Sequence, residues 1–293
     1  MSDSVVRLAL IGSADDIGLK CELLQRLRDA RLTVTADSMQ EALRDLAEFD
    51  AAVVSCFENA RCIAERGKHV FIDSPCADSF QEAETLIETC QRANVILAFG
   101  GLTRHAPACQ TIIDRLSRGK LGDPGLLRVH RWCTDTKRTV SSTIFGDIDL
   151  AIHLFQATPA EIYAIGRIDH SYIQIHLGFP NGGMALLDFA QRMPTGQVYN
   201  SLSLIGSKGA AYADDHQNTH LLFTGGNPAA LISDARTGGL VELREFVNCI
   251  AHGVSPTIDG QTILTVHRVT DAIRHSIETK QVLHQRGGVY DPA

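Results

Sequence analysis

Short apolar runs rich in β-branched residues, at 5–11, 32–35, 51–55, 69–72 and 95–99, alternate with segments whose apolar residues recur at helical spacing, at 19–27, 39–47, 60–65, 80–93 and 108–118. Parallel strands need a long crossover between them, so this alternation predicts a parallel sheet covered by helices. The first run ends at Gly12 and leads through a turn into a helix, which is how a dinucleotide-binding unit of the Rossmann kind begins. The helix at 108–118 ends at Gly119, with Gly122, Asp123 and Pro124 beyond it, and the sequence divides near residue 122. From there the pattern changes. Alternating runs at 126–133, 161–167, 172–179, 183–189 and 201–205, separated by Gly, Asn and Pro turns, predict a mostly antiparallel sheet. Two amphipathic helices, at 241–252 and 263–280, close the chain. The expected fold is α/β, with a shortened Rossmann-like parallel-sheet domain at 1–122 and a C-terminal domain at 123–293 built on an open, mostly antiparallel sheet.

At 293 residues and 44% hydrophobic, the chain has enough apolar surface to bury a core in each half. A net charge of -7 with no run of lysines or arginines offers no footprint for nucleic acid or an anionic membrane. No uncharged stretch is long enough to span a bilayer, the N-terminus lacks a secretory pattern, and cytoplasmic residence is expected. Eight cysteines, at 21, 56, 62, 76, 90, 109, 133 and 249, form neither a C-x-x-C pair nor a Cys/His cluster at zinc spacing. Most of them read as reduced, buried small hydrophobes, and no metal site is expected.

The segment Lys68-His69-Val70-Phe71-Ile72-Asp73-Ser74-Pro75 resembles the G-K-H-V-x-x-E-K-P motif of the glucose–fructose oxidoreductase / inositol dehydrogenase / MocA (Gfo/Idh/MocA) family. Further matches follow in the family's order. Residues 100–107 resemble the loop after the next strand, 119–124 (GKLGDP) the G-x-L-G-x-P hinge, and 147–150 (DIDL) the H-D-I-D-L segment. Residues 205–210 (IGSKGA) resemble a G-T-K-G-T turn, and 243–250 the terminal L-x-x-F-x-x-x-I helix. The resemblance covers nearly the whole chain. It implies a two-domain NAD(P)-dependent oxidoreductase fold and a homodimer or homotetramer formed through an exposed sheet face.

The positions that carry chemistry in such a family depart from its pattern. A dinucleotide fold uses glycines so that the backbone can approach the pyrophosphate. Here the turn runs Gly12-Ser13-Ala14-Asp15-Asp16-Ile17-Gly18, one residue longer, with Ser13 or Ala14 in place of the middle glycine. A carboxylate about 4 Å from a phosphate oxygen opposes binding by roughly 4 kcal/mol at an effective dielectric of about 20. Asp15 and Asp16 read instead as caps of the following helix. A strand and a helix look deleted before the segment at 36–38, where Asp37 is a poor stand-in for the acid that holds the ribose, and the loop after the third strand shortens to Ser55-Cys56-Phe57-Glu58-Asn59. Gly12, Ser13, Ala14, Ser55, Asp73 and Ser74 are the cofactor-binding candidates, for NAD or NADP.

Hydride transfer to or from an alcohol carbon needs a group that takes or gives the hydroxyl proton, and the family uses a lysine and a histidine. The resemblance puts Ser74 at the lysine, Gly146 at the histidine and Ser142 at the aspartate four residues earlier. A rival register pairs Asp149 with His153, one helical turn apart, as catalytic candidates. Arg104 and His105 are the substrate candidates, and Arg128, His130 and Trp132 project from one strand face as an alternative ligand surface. The expectation that follows is a homologue without dehydrogenase chemistry, acting as a ligand sensor or partner protein. The alternatives are an NAD(P)-dependent oxidoreductase of a sugar-like or polyol substrate, or an enzyme of altered chemistry built on Asp73, Asp149 or His153.

Overall fold

A computed structural model of the chain describes residues 5–12, 20–133, 140–167, 171–192, 199–214, 219–223, 229–231 and 237–292. Its named helices, in chain order, are α1 (Met39–Ala42), α2 (Phe57–Ala64), α3 (Phe80–Arg92), α4 (Pro107–Ser117), α5 (Val140–Phe155), α6 (Thr237–His252) and α7 (Gly260–Thr279). The chain forms two compact units, Met1–His105 with Arg236–Leu264, and Ala106–Ala235 with Thr265–Ala293. The division falls after His105 where the sequence pattern suggested residue 122, and a segment from near the C-terminus returns to the first unit.

In the first unit β1 (Val6–Ile11), β2 (Ala30–Ala36), β3 (Ala51–Val54), β4 (His69–Asp73) and β5 (Leu97–Gly100) form a sheet in the order β2-β1-β3-β4-β5. Every pairing is parallel. β1 and β3 are buried almost throughout, as strands covered on both faces must be, which is why they read as continuous apolar runs. Helix α3 starts at Ser79, whose hydroxyl accepts the Glu82 N–H, and buries Ala83, Leu86, Ile87 and Cys90 along one stripe. One core joins Leu8 and Leu10 of β1, Leu23 and Leu24, Val53, Phe71 and Ala98 to Phe246 and Val247 of α6. The Phe71 and Phe246 rings lie 5.6 Å apart. That packing accounts for the return of α6 to the first unit.

The second unit carries a ten-stranded sheet. Its strands are β6 (Pro124–Trp132), β7 (Glu161–Gly166), β8 (Tyr172–Gly178), β9 (Met184–Ala190), β10 (Tyr199–Gly206), β11 (Ala210–Asp214), β12 (Thr219–Phe223), β13 (Ala229–Leu231), β14 (Leu283–Arg286) and β15 (Val289–Pro292). Their order is β13-β12-β11-β10-β6-β9-β8-β7-β14-β15, and only the β6/β9 pair is parallel. The expected fold class is what the molecule has. Residues Phe145, Ile148, Ala151 and Leu154 of α5 are buried in this unit. Two motif turns meet at one end of β10. Asp123 N–H donates to Ser207 Oγ at 2.9 Å, and Lys208 N–H donates to Leu121 O at 3.0 Å. A Cβ at Gly206 would lie 2.2 Å from that same Leu121 carbonyl oxygen, so the glycine there is a packing requirement.

Candidate active site

In an open α/β sheet, ligands bind outside the carboxyl ends of the strands where the strand order reverses. In the first unit that reversal lies between β1 and β3, whose carboxyl ends carry Gly12 and Ser55. β2 lies parallel to β1 with Ala36 opposite Ile11, and the Gly12 N–H donates to Ala36 O at 3.1 Å. Asp37, the next residue, is therefore brought beside Gly12 and is exposed there. Its position is better for a ribose-binding acid than the sequence suggested. The chain holds a second strand beside the first, and among the described residues the sheet ends at β2. Ser13, Ala14, Asp15 and Asp16 lie outside the described residues.

The carboxyl ends of β4 and β5 form a tight corner. Asp73 ends β4, Gly100 ends β5, and the Ser74 N–H donates to Gly100 O at 2.8 Å. The Ser74–Pro75 peptide bond is cis. A Cβ at Gly100 would lie 2.4 Å from the Phe71 ring and 2.6 Å from Asp73 Oδ1, so only glycine leaves room for both. The Ser74 hydroxyl oxygen is buried and has no hydrogen-bond partner among the described residues.

Two charged residues that sequence reasoning did not select converge here. Lys20, in the helix after β1, places Nζ 2.6 Å from Asp73 Oδ2 and 4.9 Å from the centre of the Phe71 ring. Glu242 of α6, only 7% exposed, accepts the Gly101 N–H at 3.1 Å and the Leu102 N–H at 3.2 Å. Burial pushes its carboxyl up to about 7, with the charge of Asp73 adding to that rise and the two amides and Lys20 opposing it. Glu242 thus clamps the start of the loop that resembles the family's substrate border. Arg104 and His105 follow in a short 3-10 turn and are each 7% exposed, with their side chains packed inside the protein.

The other candidates belong to the second unit. Asp149 and His153 lie one turn apart on α5, the aspartate fully buried and the histidine half-buried. Gly146 is a buried residue of the same helix, and the Ser142 side chain lies outside the described residues. Asp147, also fully buried, is gripped by the Arg131 guanidinium through two hydrogen bonds of 2.9 and 2.7 Å. Alternation along β6 does bring Arg128, His130 and Trp132 to one face. Trp132 Nε1–H donates to Asp188 Oδ2 at 2.8 Å, His130 Nδ1 lies 2.5 Å from Asp188 Oδ1, and the Trp132 and Tyr199 rings are 4.9 Å apart. No group of three or more His, Cys, Asp or Glu residues suited to a metal ion occurs among the described residues. No described helix is long and apolar enough to cross a membrane.

No family model matches the chain. Among curated proteins it is 23% identical to myo-inositol 2-dehydrogenase of Thermotoga maritima, over 94% of this chain and 97% of that protein. It is 24% identical to scyllo-inositol 2-dehydrogenase (NAD(+)) of Bacillus subtilis, over 67% of this chain and 64% of that one. Among solved structures, an oxidoreductase from Agrobacterium radiobacter in complex with NAD+, L-tartaric acid and magnesium superposes with a TM-score of 0.83 at 13% identity, covering 96% of this chain and 98% of its own.

Proposed function

We propose that this chain, a homologue of the inositol dehydrogenases and other Gfo/Idh/MocA-type oxidoreductases, is an NAD-dependent oxidoreductase of a polyol or sugar-like substrate. The observation that carries the reading is the carboxyl edge of the parallel sheet. It brings Gly12, Asp37, Ser55, Asp73 and Ser74 to the strand ends at and beside the crossover. These residues fit a nicotinamide dinucleotide: Asp37, Ser55 and Asp73 are exposed at the edge of a sheet whose central strands β1, β3 and β4 are largely buried, and Ser74 holds an unpartnered hydroxyl at the corner. The first turn, with Gly12, Ser13 and Ala14, would hold the pyrophosphate, Asp37 the adenosine ribose, and Asp73 and Ser74 the nicotinamide end. The bound cofactor would supply a two-electron hydride acceptor or donor. Asp37 also gives the preference for NAD, because a 2′-phosphate would meet like charge at the end of β2.

On this reading Glu242 holds the Gly101 and Leu102 amides and so fixes the loop that would border the substrate. Gly100 keeps Asp73 and Phe71 in place beneath it. The exposed sheet face of the second unit supports a homo-oligomer. The test is spectrophotometric. NAD+ with inositols and other polyols is expected to give reduced nicotinamide, faster than NADP+ does; no turnover across such a panel would overturn the reading. Serine at position 74 favours one other reading, a noncatalytic homologue that senses the same class of ligand. That reading predicts saturable polyol binding without reduction of the cofactor.

A further inference from the structure

One peptide unit at the end of β5 is held from both sides. Its carbonyl oxygen, Gly100 O, accepts the Ser74 N–H at 2.8 Å, and its N–H, that of Gly101, donates to Glu242 Oε2 at 3.1 Å. A peptide group is planar, so the two bonds hold a single rigid body and turning it strains both. Glu242 Oε1 accepts the next amide, the Leu102 N–H, at 3.2 Å. Gly101 lies at φ +72°, and a Cβ there would stand 3.7 Å from both Ser74 N and Ser74 O, so the loop runs against Ser74. The glutamate has little room to drift, because Leu243, Phe246 and Val247 bury α6 in one core with Leu8, Leu10 and Phe71. Asp73 and Lys20 are the charged groups that act on it, and Arg104 and His105 stand in the short turn packed against α6.

We infer that Glu242 is a positioning residue for hydride transfer, orienting through the Gly100–Gly101 peptide the Asp73–Ser74 corner that would receive the nicotinamide end; this rests on the oxidoreductase reading above. Transfer of a hydride demands reacting atoms near contact, and a misplacement of about 1 Å costs on the order of 100-fold in rate. On that reading the adenosine half is held at Gly12 and Asp37, at the ends of β1 and β2 on the other side of β3. Loosening the corner therefore reaches kcat and leaves cofactor binding largely alone. The role needs both carboxylate oxygens as acceptors. A glutamine side chain has one such oxygen and presents N–H groups to the second amide. It also has no charge to desolvate, whereas burial pushes the Glu242 carboxyl up to about 7. At pH 8 the exchange of glutamate for glutamine removes a buried charge while it releases the corner, so stability and activity part.

The test compares the whole protein as wild type, Glu242→Gln and Glu242→Ala at pH 8. Amide exchange is read by NMR without ligand, NADH binding by calorimetry and Tm by thermal melting. Turnover is measured with NAD+ and a panel of myo-inositol, scyllo-inositol and other polyols. In wild type the Ser74 and Gly101 amides should show protection equal within about threefold, because one peptide carries both bonds. Glu242→Gln should bind NADH within about threefold of wild type and melt no lower, yet lose about 10- to 100-fold in kcat. Glu242→Ala, which holds neither amide, should be slower still. Gly101 protection at least about tenfold below that of Ser74, or a Glu242→Gln kcat within about twofold of wild type, overturns the role of Glu242 and leaves the oxidoreductase reading standing. A fall in kcat that comes with a lower Tm and weaker NADH binding does the same, because it marks a residue that only holds the fold together. A wild type without NADH binding, or without turnover on any polyol of the panel, overturns both.

Discussion

At the scale of single residues, the corner formed by Asp73 and Gly100 tolerates little. Gly100→Ala puts a methyl group 2.4 Å from the Phe71 ring, and relieving that overlap should cost about 1–3 kcal/mol. Thermal unfolding should show a lowered Tm; an unchanged one would mean that the corner yields freely. Glu242 gives a pH dependence with a definite sign. Its folded-state value, about 7, lies above the ordinary 4.5, with Asp73 and Lys20 the charged groups acting on it. The stability it contributes is therefore complete below about 4.5 and is lost as pH rises through about 7, a change on the order of 3 kcal/mol. Glu242→Gln should remove that part of the wild-type pH slope, and parallel stability curves for the two proteins would contradict it. Neither Glu242 nor Lys20 was legible in the sequence. A glutamate beside an apolar stripe and a lysine in a helix are what solvated helices ordinarily show, and their convergence at one strand end is a tertiary fact. Ser74 was legible, because an eight-residue motif fixed its place on the strand end.

Elements were read well where burial on both faces made their pattern continuous, as in β1, β3 and β4. They were missed where strands are short or close the sheet. The β14/β15 hairpin escaped notice although Gly287 and Gly288, both at positive φ, make the two-residue turn between Arg286 and Val289 that a Gly-Gly pair favours. Its flanking strands are mostly exposed and lack a clear apolar alternation. The hairpin is held to the rest of the sheet by pairing with β7, and β7 in turn is tied to α7 by Ser276, fully buried. The Ser276 hydroxyl oxygen accepts the Ala164 N–H at 2.9 Å and its proton goes to Gln281 O at 2.7 Å. Ser276→Ala strands both backbone groups and should cost about 1–3 kcal/mol in denaturant unfolding, with Ser276→Thr less harmful only if the methyl can be housed. A cost below about half a kcal/mol would mean water replaces the hydroxyl.

At the scale of the molecule, the ten-stranded sheet leaves one face with exposed apolar side chains, among them Ile165, Tyr172, Met184 and Ile205, each more than 40% exposed. Apolar exposure of that kind on a sheet face is what subunit contacts cover. Light scattering should find a dimer or tetramer, and Met184→Asp with Ile205→Asp should shift it towards monomer; a wild-type monomer would remove the oligomer from the account. The two-unit architecture was legible because a change from helical to two-residue periodicity survives even at low identity, whereas the place of the division was not, since α6 rejoins the first core through Phe246 and Val247. The central claim is that the carboxyl edge of the five-stranded sheet holds a nicotinamide dinucleotide. It is tested most directly by calorimetric titration of the protein with NADH and NADPH, beside an Asp37→Ala variant. The account predicts saturable NADH binding, weaker binding of NADPH, and a narrowing of that difference in Asp37→Ala. No heat with either nucleotide at millimolar concentration would contradict it.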